Sequence, residues 1–449
     1  MKIFMLFLAG ILATTTFAPE ASAVPAFARQ TGMACSACHF QSFPILTKFG
    51  KAFKMGGFTM MGAQGKVEGE QGLSMPDTLN MAVILKARYK KTGGTDTAAA
   101  NNNLSTNSGR IDLPDEFALF AAGRVSENIG ALVEISIAGA PGNAGVANFK
   151  LPLVSDLGDM KFGVVPFSGD AGAAYGFDLF ATGSNTTGRV IENAEGYSVA
   201  KYLGTHTEVS GAAIYVANDD FHVNYTPWVQ SDQATAAGVT ATKLGGNYLR
   251  AAWTPSFSGW DIGVGVQNFS GNSLKGIDTV TLNAAIAGGA AFTLDAAGNA
   301  ISRDSATILD AQAQGAVADM PLGIYASFGR AAGQATGAAV NTFNGGTDTR
   351  RAFGILADLG VIPETLGVQL GLIRAKTGAL LNGSNETDNA FTLGARYKFR
   401  QNVNMGVAYT KFSGTAYEAG GSLDATVPST ALTPNTGTSL LNLTLIAAF

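Results

Sequence analysis

Along most of the chain, apolar and polar residues alternate with a period of two, in runs of about ten. In "AVILKARYKK", Val83, Leu85, Ala87 and Tyr89 fall on one face and Lys86, Arg88 and Lys90 on the other. In "EFALFAAGRV", Phe117, Leu119, Ala121 and Val125 oppose Glu116 and Arg124. In "FTLGARYKFR", Phe391, Leu393, Ala395, Tyr397 and Phe399 oppose Arg396, Lys398 and Arg400. Successive side chains of a strand point to opposite faces, so each run predicts a strand with one apolar and one polar side. The pattern places strands near 79–90, 115–125, 129–138, 147–155, 160–167, 196–204, 206–217, 245–255, 259–269, 307–318, 322–331, 350–359, 365–375, 389–400, 403–413 and 437–449. That is about sixteen, the even number that bacterial barrels carry.

The connections alternate in length. Short turns are expected at "SEN", "DLGD", "SFSG", "DMP", "VIPET" and "QN". Longer polar segments are expected at 91–114, 139–146, 168–195, 218–244, 270–306, 332–349, 376–388 and 414–436. Short turns on one rim and long loops on the other are the outer-membrane barrel pattern, with the short turns periplasmic. The chain ends "SLLNLTLIAAF", where Leu441, Leu443, Leu445, Ala447 and Phe449 alternate outward. The predicted fold is therefore all-β, a transmembrane antiparallel barrel of about sixteen strands across 79–449. Its expected surroundings are outer-membrane lipid. A barrel of that size encloses a lumen wide enough for water or for a plug.

Composition agrees with strands rather than bundled helices. Of 449 residues, 57 are Gly, 46% are hydrophobic and 14% are charged. After the first residues, no apolar stretch approaches the ~20 residues of a spanning helix. The formal net charge is −4, and no nucleic-acid partner is expected.

The N-terminal part reads differently. Lys2, the apolar run Ile3 to Ala18 and the small residues Ala21-Ser22-Ala23 make 1–23 a secretory signal peptide. Residues 24–78 follow as a small separate segment holding both cysteines of the chain, in "CSACH". Cys-x-x-Cys-His is the attachment signature of c-type haem. On a helix Cys35, Cys38 and His39 stand at i, i+3 and i+4 and meet one ligand face. Two thioethers would hold one covalently attached c-type haem, with His39 as proximal iron ligand. A disulfide or thioredoxin-like pair is the other reading of the cysteines, and it gives His39 no role.

Pro44 followed by Ile45, Leu46, Phe49 and Phe53 predicts a short helix, which Gly56 and Gly57 end. A distal ligand is expected from Met60, with Met61 and Met55 as alternatives; Met33, a lysine or an open position are further options. In a segment this short, covalent haem can serve as the staple that a small core needs. The segment is of a size to plug the lumen from the periplasmic side. In "ANDDFHVNY", Asp219, Asp220 and His222 form a His/Asp cluster in an expected outer loop and are candidates for contact with Fe²⁺.

The stretch from Pro25 to Met60 resembles the fused cytochrome–porin family of iron(II)-oxidising bacteria. The likeness rests on Phe27-Ala28-Arg29-Gln30-Thr31-Gly32, the haem motif, Pro44, Phe49-Gly50-Lys51, Phe53-Lys54 and Gly57-Phe58-Thr59. Lys51 and Phe58 stand where the family pattern has Arg and Tyr. The barrel portion matches only in kind. The resemblance implies an Fe(II):cytochrome oxidoreductase that takes electrons from extracellular Fe(II). It passes them to a periplasmic cytochrome or other soluble carrier. Other readings remain: a passive porin plugged by the haem segment, a donor of electrons to external acceptors, and a binding barrel whose cysteine motif is a redox or metal site.

Overall fold

The computed structural model describes residues 25–62, 64–93, 109–137, 145–169, 174–183, 196–205, 208–230, 244–275, 293–294, 300–334, 341–422 and 437–449. The expected signal peptide, 1–23, lies outside these residues.

Sixteen antiparallel strands close into one barrel. They are β1 (Met81–Thr92), β2 (Arg110–Ser126), β3 (Ile129–Ser136), β4 (Gly145–Lys150, resuming at Leu153–Leu157), β5 (Met160–Gly169), β6 (Val209–Ala217), β7 (Phe221–Gln230) and β8 (Gly246–Trp253). There follow β9 (Trp260–Lys275), β10 (Ala300–Val317), β11 (Met320–Ala331), β12 (Arg350–Ile362), β13 (Leu366–Leu381), β14 (Ser384–Arg400), β15 (Val403–Ser413) and β16 (Ser439–Ala448). Closure comes from β16 against β1, in register from Leu440 opposite Thr92 to Ala448 opposite Ile84. Val83 and Phe449 complete it by exchanging backbone hydrogen bonds at 2.7 and 3.0 Å. A closed ladder leaves no backbone donor or acceptor facing lipid, which is why a sheet can span a bilayer only as a barrel.

The alternation read from sequence is the alternation in space, turned inside out relative to a soluble protein. Leu309, Phe328, Leu370, Phe391, Leu393 and Leu443 are exposed on the outer wall. Between them Asp310, Ser327, Gln369, Thr392 and Asn442 are buried on the lumen side. Lys86, Glu116, Arg124 and Arg396 point inward as their runs predict.

Two strand assignments need correction, and they compensate in number. Residues 196–204 are not a strand. Val199–Leu203 is a helix, capped by the Ser198 hydroxyl, which accepts from the Lys201 N–H, and ended by Gly204 at φ 71°. Val199 and Leu203, four apart on one helical face, are buried in the lumen. The strand left out is β7. Pro227 argues against a central strand because it cannot donate to a ladder. Here the β6–β7 register skips Thr226 and Pro227, while the β7–β8 register runs through them. A third difference is the expected loop 376–388. β13 and β14 run on through it and meet at a two-residue Asn382-Gly383 turn, with φ 51° and 77°. Asn-Gly is the pair that a type I′ hairpin turn favours.

A small unit fills the short-turn mouth of the barrel. It comprises α1 (Pro25–Thr31), α2 (Cys35–Cys38) and α3 (Lys48–Met55), then a hairpin of 66–68 with 74–76 that leads into β1. The long-loop half of the lumen is filled from inside by residues 174–183 and by α4 (Val199–Leu203).

Candidate haem site

The cysteine motif is held by its own neighbours in sequence. Thr47 caps α3, its hydroxyl accepting from the Gly50 N–H at 3.1 Å and donating to the Ala37 carbonyl at 2.7 Å. The Thr47 N–H donates to the Cys38 carbonyl at 3.0 Å, so α2 and the start of α3 are bonded together. Gly50 is where the two touch. A Cβ there would meet the Cys38 carbonyl oxygen at 2.1 Å. The His39 N–H donates to the Cys35 carbonyl at 2.8 Å, and Nδ1 lies 3.2 Å from the Ile45 carbonyl. A donor at Nδ1 fixes the tautomer that leaves Nε2 free to ligate. Burial pushes the imidazole down to about 4, so it is neutral at neutral pH, the form a metal takes.

Long-range contacts fix this unit in the barrel mouth. Gln30 is fully buried. Its amide donates to the Phe58 and Met60 carbonyls at 2.7 and 2.8 Å and accepts from the Arg124 N–H at 2.9 Å. Arg396 donates to the Gln41 side chain at 2.6 Å and its carbonyl at 3.1 Å, and also to Asp358 at 3.2 Å. Gln401, in a short turn, donates to Cys35 Sγ at 3.3 Å. Burial raises the thiol of Cys35, opposed by that amide, and likewise raises the thiol of Cys38.

Beside the motif lies a cavity of about 430 Å³. Cys38 and His39 line it, with Phe27, Phe43, Phe53 and Phe58 giving it an apolar side. Phe27 packs on Phe58 and Phe53, with ring centroids 4.9 and 5.2 Å apart. Lys54 and Lys150, with Glu116, Glu134 and Glu208, bring charge to the same cavity. Lys54 donates to the Asp178 carbonyl at 2.6 Å, and burial lowers its ammonium to about 8.

The expected distal methionines do not line the cavity. Met55 is 4% exposed and packs against the barrel wall with Val154 and Tyr215. Met60 and Met61 run back alongside the end of α1, where the Met60 carbonyl accepts from the Gln30 amide and the Gly62 N–H donates to the Gln30 carbonyl at 3.0 Å. Gly57, at φ +66°, lies against Val154, and a Cβ on Gly130 would meet its carbonyl oxygen at 1.8 Å. The chain is thus pressed to the wall at the turn that ends α3. Met33 and Lys54 line the cavity instead.

The acidic cluster is also relocated. His222 stands on β7, fully buried, with Nε2 3.4 Å from Asp178 Oδ1. Asp219 and Asp220 occupy the turn between β6 and β7, on the short-turn rim, where the Asp219 carbonyl accepts from the Thr254 hydroxyl at 2.7 Å. Recognising β7 reverses the direction of the chain here, so the outer-loop placement does not hold.

Above the cavity the lumen is packed. Tyr175 meets Trp228, Tyr248 and Phe269 at 4.8, 5.2 and 5.3 Å between ring centroids. Arg250 donates to both oxygens of Asp310, at 2.5 and 2.9 Å, and its Nε lies 3.4 Å from Asp178. Asp178 belongs to the inward segment, so this buried network ties that segment to β8 and β10. Nothing in the local sequence marks these partners, since Arg250 and Asp310 are 60 residues apart and Arg396 and Gln41 are 355 apart.

No family model and no curated protein matches the chain. Among solved structures it is similar to OmpT, an outer membrane protein of Vibrio cholerae, with a TM-score of 0.44 and 12% identity over 83% of this chain and 97% of that one. It is similar also to the outer membrane channel DcaP of Acinetobacter baumannii, with a TM-score of 0.43 and 11% identity over 83% and 97%. A third is OccK10 of Pseudomonas aeruginosa, with a TM-score of 0.40 and 10% identity over 83% and 98%. By its closed wall, outward apolar face and polar lumen side, the chain is a porin-like outer-membrane β-barrel.

Proposed function

We propose that this protein is an outer-membrane electron conduit that oxidises extracellular Fe(II). One c-type haem on Cys35, Cys38 and His39 would pass the electron to a periplasmic carrier. The observation that carries the reading is a Cys-x-x-Cys-His motif whose Cys38 and His39 line a largely apolar cavity of about 430 Å³ inside a membrane-spanning barrel. The residues present fit that group. Two cysteines precede a histidine whose free nitrogen is Nε2, and ligand pockets run from about 300 to 1,000 Å³. Met33 and Lys54 are cavity-lining side chains of types that ligate haem iron.

When bound, the haem supplies a one-electron relay. The residues of the chain do the rest. Cys35 and Cys38 would anchor it, the Ile45 carbonyl orients His39, and Phe27, Phe53 and Phe58 would exclude water. Fe²⁺ loses one electron and leaves as Fe³⁺, and the electron reduces a one-electron acceptor on the periplasmic side. Fe³⁺ precipitates at neutral pH, so oxidation at the outer surface keeps the insoluble product out of the periplasm. A redox centre within the lumen shortens the electron's path across an apolar band of roughly 25 Å.

The second reading is a porin plugged by its N-terminal segment, favoured by the closed porin-like wall. A donor of electrons to external acceptors would share the same site and reverse the flow. A pyridine haemochrome assay followed by stopped-flow mixing of the purified protein with Fe²⁺ tests the main reading. Covalent haem that is reduced by Fe²⁺ is the expected result. A purified protein without covalent haem, or a haem that Fe²⁺ leaves oxidised, would sink it. Solute conductance through planar bilayers with no such reduction would favour the porin. A haem potential well below that of Fe³⁺/Fe²⁺ would favour outward flow.

A further inference from the structure

The lipid-facing side of β10 to β14 carries charge at one end only. Near the long-loop rim, cross-strand partners run Thr307, Arg330, Arg351, Lys376, Thr387. Three cations therefore stand side by side on three adjacent strands. The next row toward the bilayer centre is Leu309, Phe328, Phe353, Arg374, Asn389, which adds a fourth cation. The row after that is Ala311, Ala326, Ile355, Leu372, Phe391, with no charge. At the opposite end of the same strands the outward positions include Val317, Leu322, Leu359 and Leu366.

Like charges directly opposite one another in a sheet are destabilising. Among the described residues, Arg330 and Arg351 form no ion pair, and Lys376 donates to the Asn385 carbonyl at 2.9 Å. A groove of about 580 Å³ opens over this row, lined by Arg330, Arg351 and Lys376 and floored by Leu309 and Phe328. The one carboxylate on its edge, Asp348, accepts from the Thr349 N–H at 2.7 Å and pairs with none of the three cations. The floor is itself part of the exposed apolar wall, with Leu309 at 54% and Phe328 at 44% exposure.

We propose that this groove binds the phosphate groups of an outer-leaflet glycolipid, with its acyl chains lying on Leu309 and Phe328. An occupant must present anions to the upper row and hydrocarbon to the floor, in a membrane. A phosphorylated amphiphile meets both demands, and a free anion meets only one. The long-loop rim faces the outer leaflet. The cationic row lies on that side alone, so the site selects one leaflet. It requires only the orientation of the barrel and is independent of the haem.

The test is native mass spectrometry of the full chain in detergent, titrated with diphosphoryl lipid A, with the same lipid dephosphorylated, and with inorganic phosphate. Saturable binding of the diphosphoryl lipid is expected. R330Q/R351Q/K376Q should weaken it about a hundredfold, with each surface cation contributing about a factor of five. R330K/R351K should keep most of it. Circular dichroism and heat-modifiable migration check that each variant is folded. Unchanged binding in the folded triple variant would overturn the proposal. So would equal occupancy by the dephosphorylated lipid, or displacement of lipid by inorganic phosphate at matched concentration.

Discussion

The two halves of the lumen solve opposite problems within the same wall. On the short-turn side, three short helices, the wall and residues 178–181 enclose a space of about 430 Å³ lined by phenylalanines. On the long-loop side, Tyr175, packed edge-on or tilted against Trp228, Tyr248 and Phe269, fills the barrel together with α4 and a buried Arg250–Asp310 pair. Empty space is costly in a packed protein, because lining atoms lose contacts they would otherwise make. One half tolerates that cost and the other has removed it. The difference teaches that the wall does not dictate the interior.

The comparison is broken most severely by removing what the lower half is proposed to hold. C35A/C38A should abolish covalent haem absorbance while leaving a heat-modifiable barrel, measured by pyridine haemochrome and gel shift. Retained haem would mean the cavity serves something else. In the upper half, Arg250→Met leaves Asp310 and Asp178 without their cation. Stripping one partner from a buried ion pair costs about 3–5 kcal/mol. Lower resistance to denaturant and new ion conductance in planar bilayers are expected, with the haem spectrum unchanged. Gly50→Ala tests the lower half without touching a ligand. Its Cβ would strike the Cys38 carbonyl oxygen, so α3 must move off α2. Overpacking of this kind costs about 1–3 kcal/mol, and the haem content of the purified protein should fall.

Smaller effects sharpen the boundary between the halves. Arg396→Met frees Gln41 and leaves the buried Asp358 without its donor, at a cost of about 1–3 kcal/mol. Faster proteolysis of the N-terminal segment, with the barrel resistant, is the expected readout. The mildest perturbation is pH. Burial lowers Lys51 from 10.5 to about 8, partly offset by Asp261 and Asp178. Below pH 8 both folded and unfolded states carry the proton, so the burial cost is fully present. Between pH 8 and 10.5 the folded state releases its proton first, so stability rises with pH in that window. A small upward shift of the segment's melting midpoint across that range checks the sign. A fall would mean that Lys51 is held charged by its acidic neighbours.

Legibility followed the range of the interactions. The wall was open to reading because alternation is local and repeats along every strand. The Cys-x-x-Cys-His motif and the capped helix after Thr47 are local too. β7 lies within the expected polar segment 218–244, and its Pro227 breaks a local rule that its two neighbouring strands accommodate. At Val199–Leu203, by contrast, Ser198, the four-residue spacing and Gly204 are local signals that spell a helix. The cavity lining was not readable. That Met33 lines the cavity and Met60 does not goes with Gly57 meeting Val154 and Gly130, contacts made across the fold. The same holds for Gln41 with Arg396 and for Asp178 with Arg250.

The pairing of β16 with β1 has a consequence for the order of assembly. The wall is a ring whose last joint lies between the two strands most distant in sequence, with Phe449 clasping Val83. Until that joint forms, the barrel is an open sheet and its mouth is a gap rather than an aperture. Any group joined to Cys35 and Cys38 has unhindered access before closure and must pass a rim of turns afterwards.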